Sequence, residues 1–196
     1  MNRMRRRVPY FAYGSNLCVE RILARTPSAT ILARGWIDGY RLAFHKRSRD
    51  GSGKADAFHT AQKGDLVWGA VYALAARDKP VMDRFEGLGK DYEQRLVTVR
   101  TDAGYLVPAW VYTAHPATLD TTARPYAWYK NFVVTGAQQH GLPVRYQQHL
   151  AAVECLQDED EKRNARERAV VSGRLVAKGR RILKSVSTGM QLYGHD

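Results

Sequence analysis

The chain has 196 residues, enough for one domain with a substantial core, and 44% hydrophobic with 26% charged residues is ordinary for a globular protein. No apolar run is long enough to span a bilayer, and Val8-Pro9-Tyr10-Phe11-Ala12-Tyr13 is too short and aromatic for a signal-peptide core, which points to the cytoplasm. A net charge of +12 suits a nucleic acid, an anionic membrane or an anionic substrate. The excess gathers at Arg3, Arg5, Arg6 and Arg7 and again over residues 163–184, so it describes the ends first.

Residues 8–13 read as a buried strand, short, apolar and aromatic. Gly14-Ser15-Asn16 is the turn after it, and Ser15 or Asn16 caps a helix over 17–25 with Leu17, Ile22 and Leu23 on its apolar face. Thr26-Pro27-Ser28 ends that helix. Strands are predicted at 29–33, 40–45 and 66–74, with a polar, glycine-containing loop over 46–53. Residues 77–85 form a short helix with Val81, Met82 and Phe85 on one face, stopped by Gly87 and Gly89. Strands over 92–100 and 107–112 meet at the turn Asp102-Ala103-Gly104. From Pro125 the pattern is helical through Gln139, breaks at Gly141-Leu142-Pro143 and resumes over 144–155. This order defines an α+β domain around a mixed or closed sheet. Beyond Leu156 the acidic run Asp158-Glu159-Asp160-Glu161 starts a charged helical tail, one exposed helix that then frays.

Two short segments carry the chemistry. In Tyr13-Gly14-Ser15-Asn16-Leu17, Gly14 permits close approach and the amides of Ser15, Asn16 and Leu17 are helix-start donors suited to a carboxylate or oxyanion. The competing reading is a plain capped turn. The segment is neither a P-loop nor a GxGxxG dinucleotide turn. In Phe85-Glu86-Gly87 one carboxylate stands at a helix end beside an aromatic ring, a partly desolvated position that suits a group acting as base and then as acid. A solvated glutamate is the alternative there. Asp83 reads as a surface partner for Lys79, Arg84 or Lys90, and Glu93 faces away from Tyr92. Most of the later aromatics are core, but Tyr129, at a helix start, can send its hydroxyl into an adjoining pocket. Cys18 and Cys155 lack CxxC spacing and read as reduced structural thiols; the scattered histidines form no metal-binding pair.

Ordered blocks then extend these two segments. Tyr10-Phe11-Ala12-Tyr13-Gly14-Ser15-Asn16-Leu17 with Glu20-Arg21, Leu66-Val67-Trp68-Gly69-Ala70-Val71-Tyr72, Phe85-Glu86-Gly87 with Tyr92, and Tyr129-Lys130 with Thr135-Gly136-Ala137 and Gly141-Leu142-Pro143 follow in turn. Over residues 9–155 they resemble the γ-glutamylcyclotransferases of the AIG2-like superfamily, and the last block is similar to the mammalian-type branch rather than the shorter γ-glutamylamine branch. The resemblance implies a β-barrel-like core with flanking helices and Glu86 as the catalytic acid/base. It implies substrate contacts from Tyr13, Gly14, Ser15, Asn16, Leu17, Tyr92 and Tyr129. It also implies a small γ-glutamyl amide cyclised to 5-oxoproline and a free amine, with no metal or organic cofactor. Residues 45–62 and the tail find no counterpart, which leaves the leaving group open.

The chain accordingly divides into a basic arm (1–8), a catalytic domain (9–156) and a charged extension (157–196). The expected partner is the small substrate, with no membrane, and a homodimer is one option for its assembly. Two other readings stand beside this one. One keeps the fold but acts on a γ-glutamylamine or a γ-glutamyl biosynthetic intermediate. The other is a non-catalytic, nucleic-acid-associated basic protein, against which stand interleaved acids and the lack of an RNP, zinc-finger or helix-turn-helix signature.

Overall fold

The computed structural model describes residues 7–171. Its strands are β1 (Arg7–Ala12), β2 (Thr30–Asp38), β3 (Tyr40–Arg47), β4 (Gly53–His59), β5 (Leu66–Ala75), β6 (Tyr92–Thr101) and β7 (Leu106–Ala114). Its helices are α1 (Val19–Arg25), α2 (Lys79–Glu86), α3 (Ala127–Gln139), α4 (Val144–Ala152) and α5 (Glu161–Val171).

Five strands close into a barrel in the order β1-β5-β2-β6-β7. All the pairings are antiparallel except the seam, where Tyr10 of β1 meets Trp110 of β7 in parallel. Closure leaves the barrel no free edge, which answers the choice between open and closed sheet. β5 lies between β1 and β2, and residues 69–75 are buried without a break, which is why its sequence is almost continuously apolar. β6 and β7 form the predicted hairpin, with Gly104 supplying the positive φ of its turn. β3 and β4 make a separate two-stranded ribbon.

The core is one cluster that includes Phe11, Leu17, Ile22, Met82 and Phe132, all fully buried. Truncating a ring such as Phe132 to alanine in such a core costs about 3–5 kcal/mol. On α3, Trp128, Phe132, Val133, Gly136 and Ala137 are buried, so that helix is held between the barrel's N-terminal turn, α4 and α5.

Several expectations need correction. The loop expected over 46–53 is short, and β4 follows it where no strand was foreseen. The turn after β1 is a 3₁₀ segment, Ser15–Leu17; α1 starts at Val19, and neither Ser15 nor Asn16 caps it with a side chain. Helix α2 buries Met82, but Phe85 is exposed, its ring lying 5.1 Å from the Arg25 guanidinium. Arg7, assigned to the arm, belongs to β1 and donates to the Ser28 carbonyl at 2.6 Å. Residues 157–171, assigned to an extension, pack on the domain: Asp158 accepts from Trp128 Nε1 at 2.7 Å, and Glu167 pairs with Arg21 at 2.6 Å. Residues 1–6 of the arm and 172–196 of the tail lie outside the described residues. Among the described residues no helix is long and apolar enough to cross a membrane.

Candidate active site

Glu86 is positioned by the way α2 ends. Gly87 takes the left-handed conformation (φ +62°), its N–H donating to Arg84 while Leu88 N–H donates to Asp83 at 3.0 Å. This closure satisfies the last carbonyls of the helix and favours a residue without Cβ. The chain turns away at once, and the Glu86 side chain is left against the barrel mouth, 12% exposed. Asp83, one turn earlier, is committed elsewhere, to Lys79 and to the Tyr112 hydroxyl.

The turn after β1 supplies the partners of that carboxylate. Asn16 Nδ2 donates to Glu86 Oε1 at 2.7 Å and to the Tyr10 oxygen at 2.9 Å. Arg25 Nη1 donates to Asn16 Oδ1 at 2.7 Å and to Glu86 Oε1 at 3.2 Å. Both hydrogen bonds to the carboxylate therefore fall on one oxygen, and Oε2 is the oxygen left for a ligand. The Leu17 amide is spent on the Gly14 carbonyl at 2.9 Å, so the donors this turn can offer reduce to Ser15 and Asn16.

The opposite wall is built on β4. Ala55 N–H donates to the Tyr129 oxygen at 3.0 Å, and the Tyr92 hydroxyl donates to the Ala55 carbonyl at 2.9 Å. An amide can only donate and a carbonyl can only accept, so the two phenols are left with opposite capacities: Tyr129 keeps its proton to donate, and Tyr92 keeps lone pairs to accept. Burial raises the pKa of both phenols above the ordinary tyrosine value, so both stay protonated at neutral pH. Gly14 fits against this wall: a Cβ there would stand 3.1 Å from that of Ala55 and 3.3 Å from the Tyr129 oxygen.

Tyr13, Gly14, Ser15, Asn16, Glu86, Tyr92 and Tyr129, all singled out in the sequence, line a single inner cavity with room for one small group. Leu17 does not. Its side chain is fully buried in the core, and its carbonyl accepts from His140 Nε2 at 3.0 Å. Tyr10, Tyr112 and Ala55 line the cavity and were missed. Tyr10 and Tyr112 carry a polar tip on a strand, the one hint available; Ala55 acts through its backbone and leaves no mark in the sequence. Through Ser15, Glu86, Tyr92 and Tyr129 the cavity continues into an outer cleft of about 440 Å³. A larger groove of about 760 Å³, between Trp36, His59 and Arg100, contains none of these residues.

A closed five-stranded barrel with a carboxylate at its mouth, facing a Gly-Ser-Asn turn, defines the class. Residues 66–150 match the AIG2-like family. The chain is 34% identical over 151 residues to the gamma-glutamylcyclotransferase of Homo sapiens, covering 74% of this chain and 78% of that one. It is 33% identical to the Bos taurus protein of the same name, over the same shares of each chain. The fold matches a solved structure of a gamma-glutamyl cyclotransferase with TM-score 0.72 and 29% identity, over 82% of this chain and 98% of that one. The chain belongs to the gamma-glutamylcyclotransferase family.

Proposed function

We propose that the chain converts a γ-glutamyl amide into 5-oxoproline and a free amine, with Glu86 as acid and base. The observation that carries this is the Glu86 carboxylate itself, fixed through one oxygen by Asn16 and Arg25, with the other left toward the cavity.

The substrate's α-amine attacks its own γ-carbonyl carbon. A C–N bond forms and closes a five-membered ring, and the amide C–N bond breaks. Glu86 Oε2 takes one proton from the α-ammonium, freeing the lone pair, and passes it to the departing nitrogen. The ring nitrogen sheds a second proton as the lactam forms, and the released amine takes that proton to become an ammonium. The amides of Ser15 and Asn16 and the Tyr129 hydroxyl are donors suited to the α-carboxylate or to the oxyanion on the γ-carbon. The Tyr92 oxygen is suited to accept from the α-ammonium. Because nucleophile and electrophile share one molecule, holding the chain folded supplies much of the rate. Each step is a proton transfer or an acyl transfer.

Glu86→Gln keeps the shape of the side chain and removes the proton acceptor. Purified Glu86→Gln is expected to show an unchanged far-ultraviolet circular dichroism spectrum. Its release of 5-oxoproline from γ-glutamyl-alanine, read by mass spectrometry, should fall by about a thousandfold. A variant retaining most of the wild-type turnover sinks the assignment.

A further inference from the structure

We propose that the outer cleft selects γ-glutamyl dipeptides whose leaving amino acid carries a second negative charge, on its side chain, besides its α-carboxylate. This rests on the cyclotransferase reading above.

If the inner cavity takes one polar group of the glutamyl end, the leaving amine points into the cleft, since Ser15, Glu86, Tyr92 and Tyr129 line both spaces. The cleft is lopsided in charge: eight lysine and arginine side chains line it against four carboxylates. These are not all rim residues. Lys46 is 4% exposed, Lys54 12%, Arg21 15% and Arg25 16%. Each of the four carboxylates already has a partner: Asp50 with Lys54, Asp91 with Lys46, Glu167 with Arg21 and Glu86 with Arg25. Arg163 is answered from outside the cleft by Asp158 and Asp160, and Arg166 shares Glu167 with Arg21. Among the described residues the lining cations without a carboxylate partner are therefore Arg49 and Arg84, exposed at its margin.

Two further observations point to a missing anion. Arg21 Nε is buried and has no hydrogen-bond partner among the described residues, although a buried guanidinium N–H normally finds an acceptor. Lys54 is crowded: burial, and then repulsion from Arg21 and Lys46, lower its proton affinity, against the pull of Asp50. The rings of Trp128 and Tyr129, 4.5 and 4.8 Å from its ammonium, answer this only in part. A second carboxylate on the leaving group relieves the repulsion among these cations further than the α-carboxylate that every leaving amino acid brings.

The test compares kcat/KM for 5-oxoproline release from four dipeptides, all linked through the α-amine: γ-glutamyl-aspartate, γ-glutamyl-glutamate, γ-glutamyl-alanine and γ-glutamyl-lysine. The acidic pair should exceed alanine by about tenfold, mostly through KM, and lysine should fall below alanine. Raising ionic strength from about 0.1 to 1 M, which shortens the screening length from about 10 to 3 Å, should shrink the ratio. Lys54→Met should bring the acid-to-alanine ratio toward one. The exposed pair Arg49→Ser and Arg84→Ser, which leaves the core intact, should lower it in the same direction. Equal values across the four, or a preference for lysine, overturns the proposal and leaves the cyclotransferase reading standing. A preference for acid that neither salt nor these substitutions move overturns it as well. No Glu86-dependent release from any of the four removes both readings.

Discussion

Tyr92 and Tyr129 reach Ala55 from different elements and use different atoms of its backbone, and this asymmetry has a cost that can be measured. In Tyr129→Phe the buried Ala55 N–H loses its acceptor; in Tyr92→Phe the carbonyl loses a donor. An orphaned buried amide is rarer and dearer than an under-satisfied carbonyl. Tyr129→Phe is therefore expected to cost about 1–3 kcal/mol in urea unfolding, and Tyr92→Phe less. The reverse order would mean that the Ala55 amide finds another acceptor. At this scale most of the cavity lining was legible, because Glu86 and the Gly-Ser-Asn turn pair a residue type with a local conformation. Ala55 was not, since a backbone contact is indifferent to its side chain. Leu17 misled because adjacency to a turn looks the same whether the side chain faces the cavity or the core.

Helix α3 sits on the N-terminal turn by way of Gly136. A Cβ at that position would come within 2.4 Å of the Leu17 carbonyl carbon and 2.5 Å of the Cys18 nitrogen, both backbone atoms that cannot swing aside. Gly136→Ala adds about 1 kcal/mol of helix propensity. The overlap should outweigh it, because overpacking of this kind costs about 1–3 kcal/mol or more. The expected result is a lower midpoint in thermal unfolding together with weaker turnover, since the displaced turn carries Ser15 and Asn16. An unchanged midpoint would show that α3 can slide. The helix ends and the β6–β7 hairpin were readable from their glycines. β4 was not, because Gly53-Lys54-Ala55-Asp56-Ala57-Phe58-His59 holds no valine, isoleucine or threonine and owes its form to pairing with β3.

Across the whole molecule, the charged stretch that reads as a tail is tied down through one buried carboxylate. Asp158 accepts from Trp128 Nε1 and from Arg163, whose hydrogen bonds hold its pKa down to about 2 against the usual 3.9 or so. A depressed carboxyl contributes stability that is complete above about pH 4 and lost as pH falls toward 2. Docking of α5 should therefore loosen in acid, seen as faster amide exchange in residues 161–171 below about pH 3. In Asp158→Asn that exchange should already be fast at pH 7, with little further dependence on acid. Slow exchange in the variant would mean that the Arg21–Glu167 pair anchors α5 by itself. Composition showed where the charge lies along the chain. It could not show that Arg163 and Glu167 turn back toward the site, because their partners Asp158, Tyr126 and Arg21 come together only in the fold.

The parallel seam between β1 and β7 has a consequence in time. Tyr10 waits for Trp110 before the barrel can close, and the Tyr129 wall lies later still in the chain. On a ribosome the first strand and its turn emerge long before anything exists to cover them, and contacts this far apart in sequence are slow to form. Such an interval exposes the apolar Tyr10-Phe11-Ala12 segment to other nascent chains. The cavity would be completed late and all at once, since no nascent chain that ends before Tyr129 carries both of its walls.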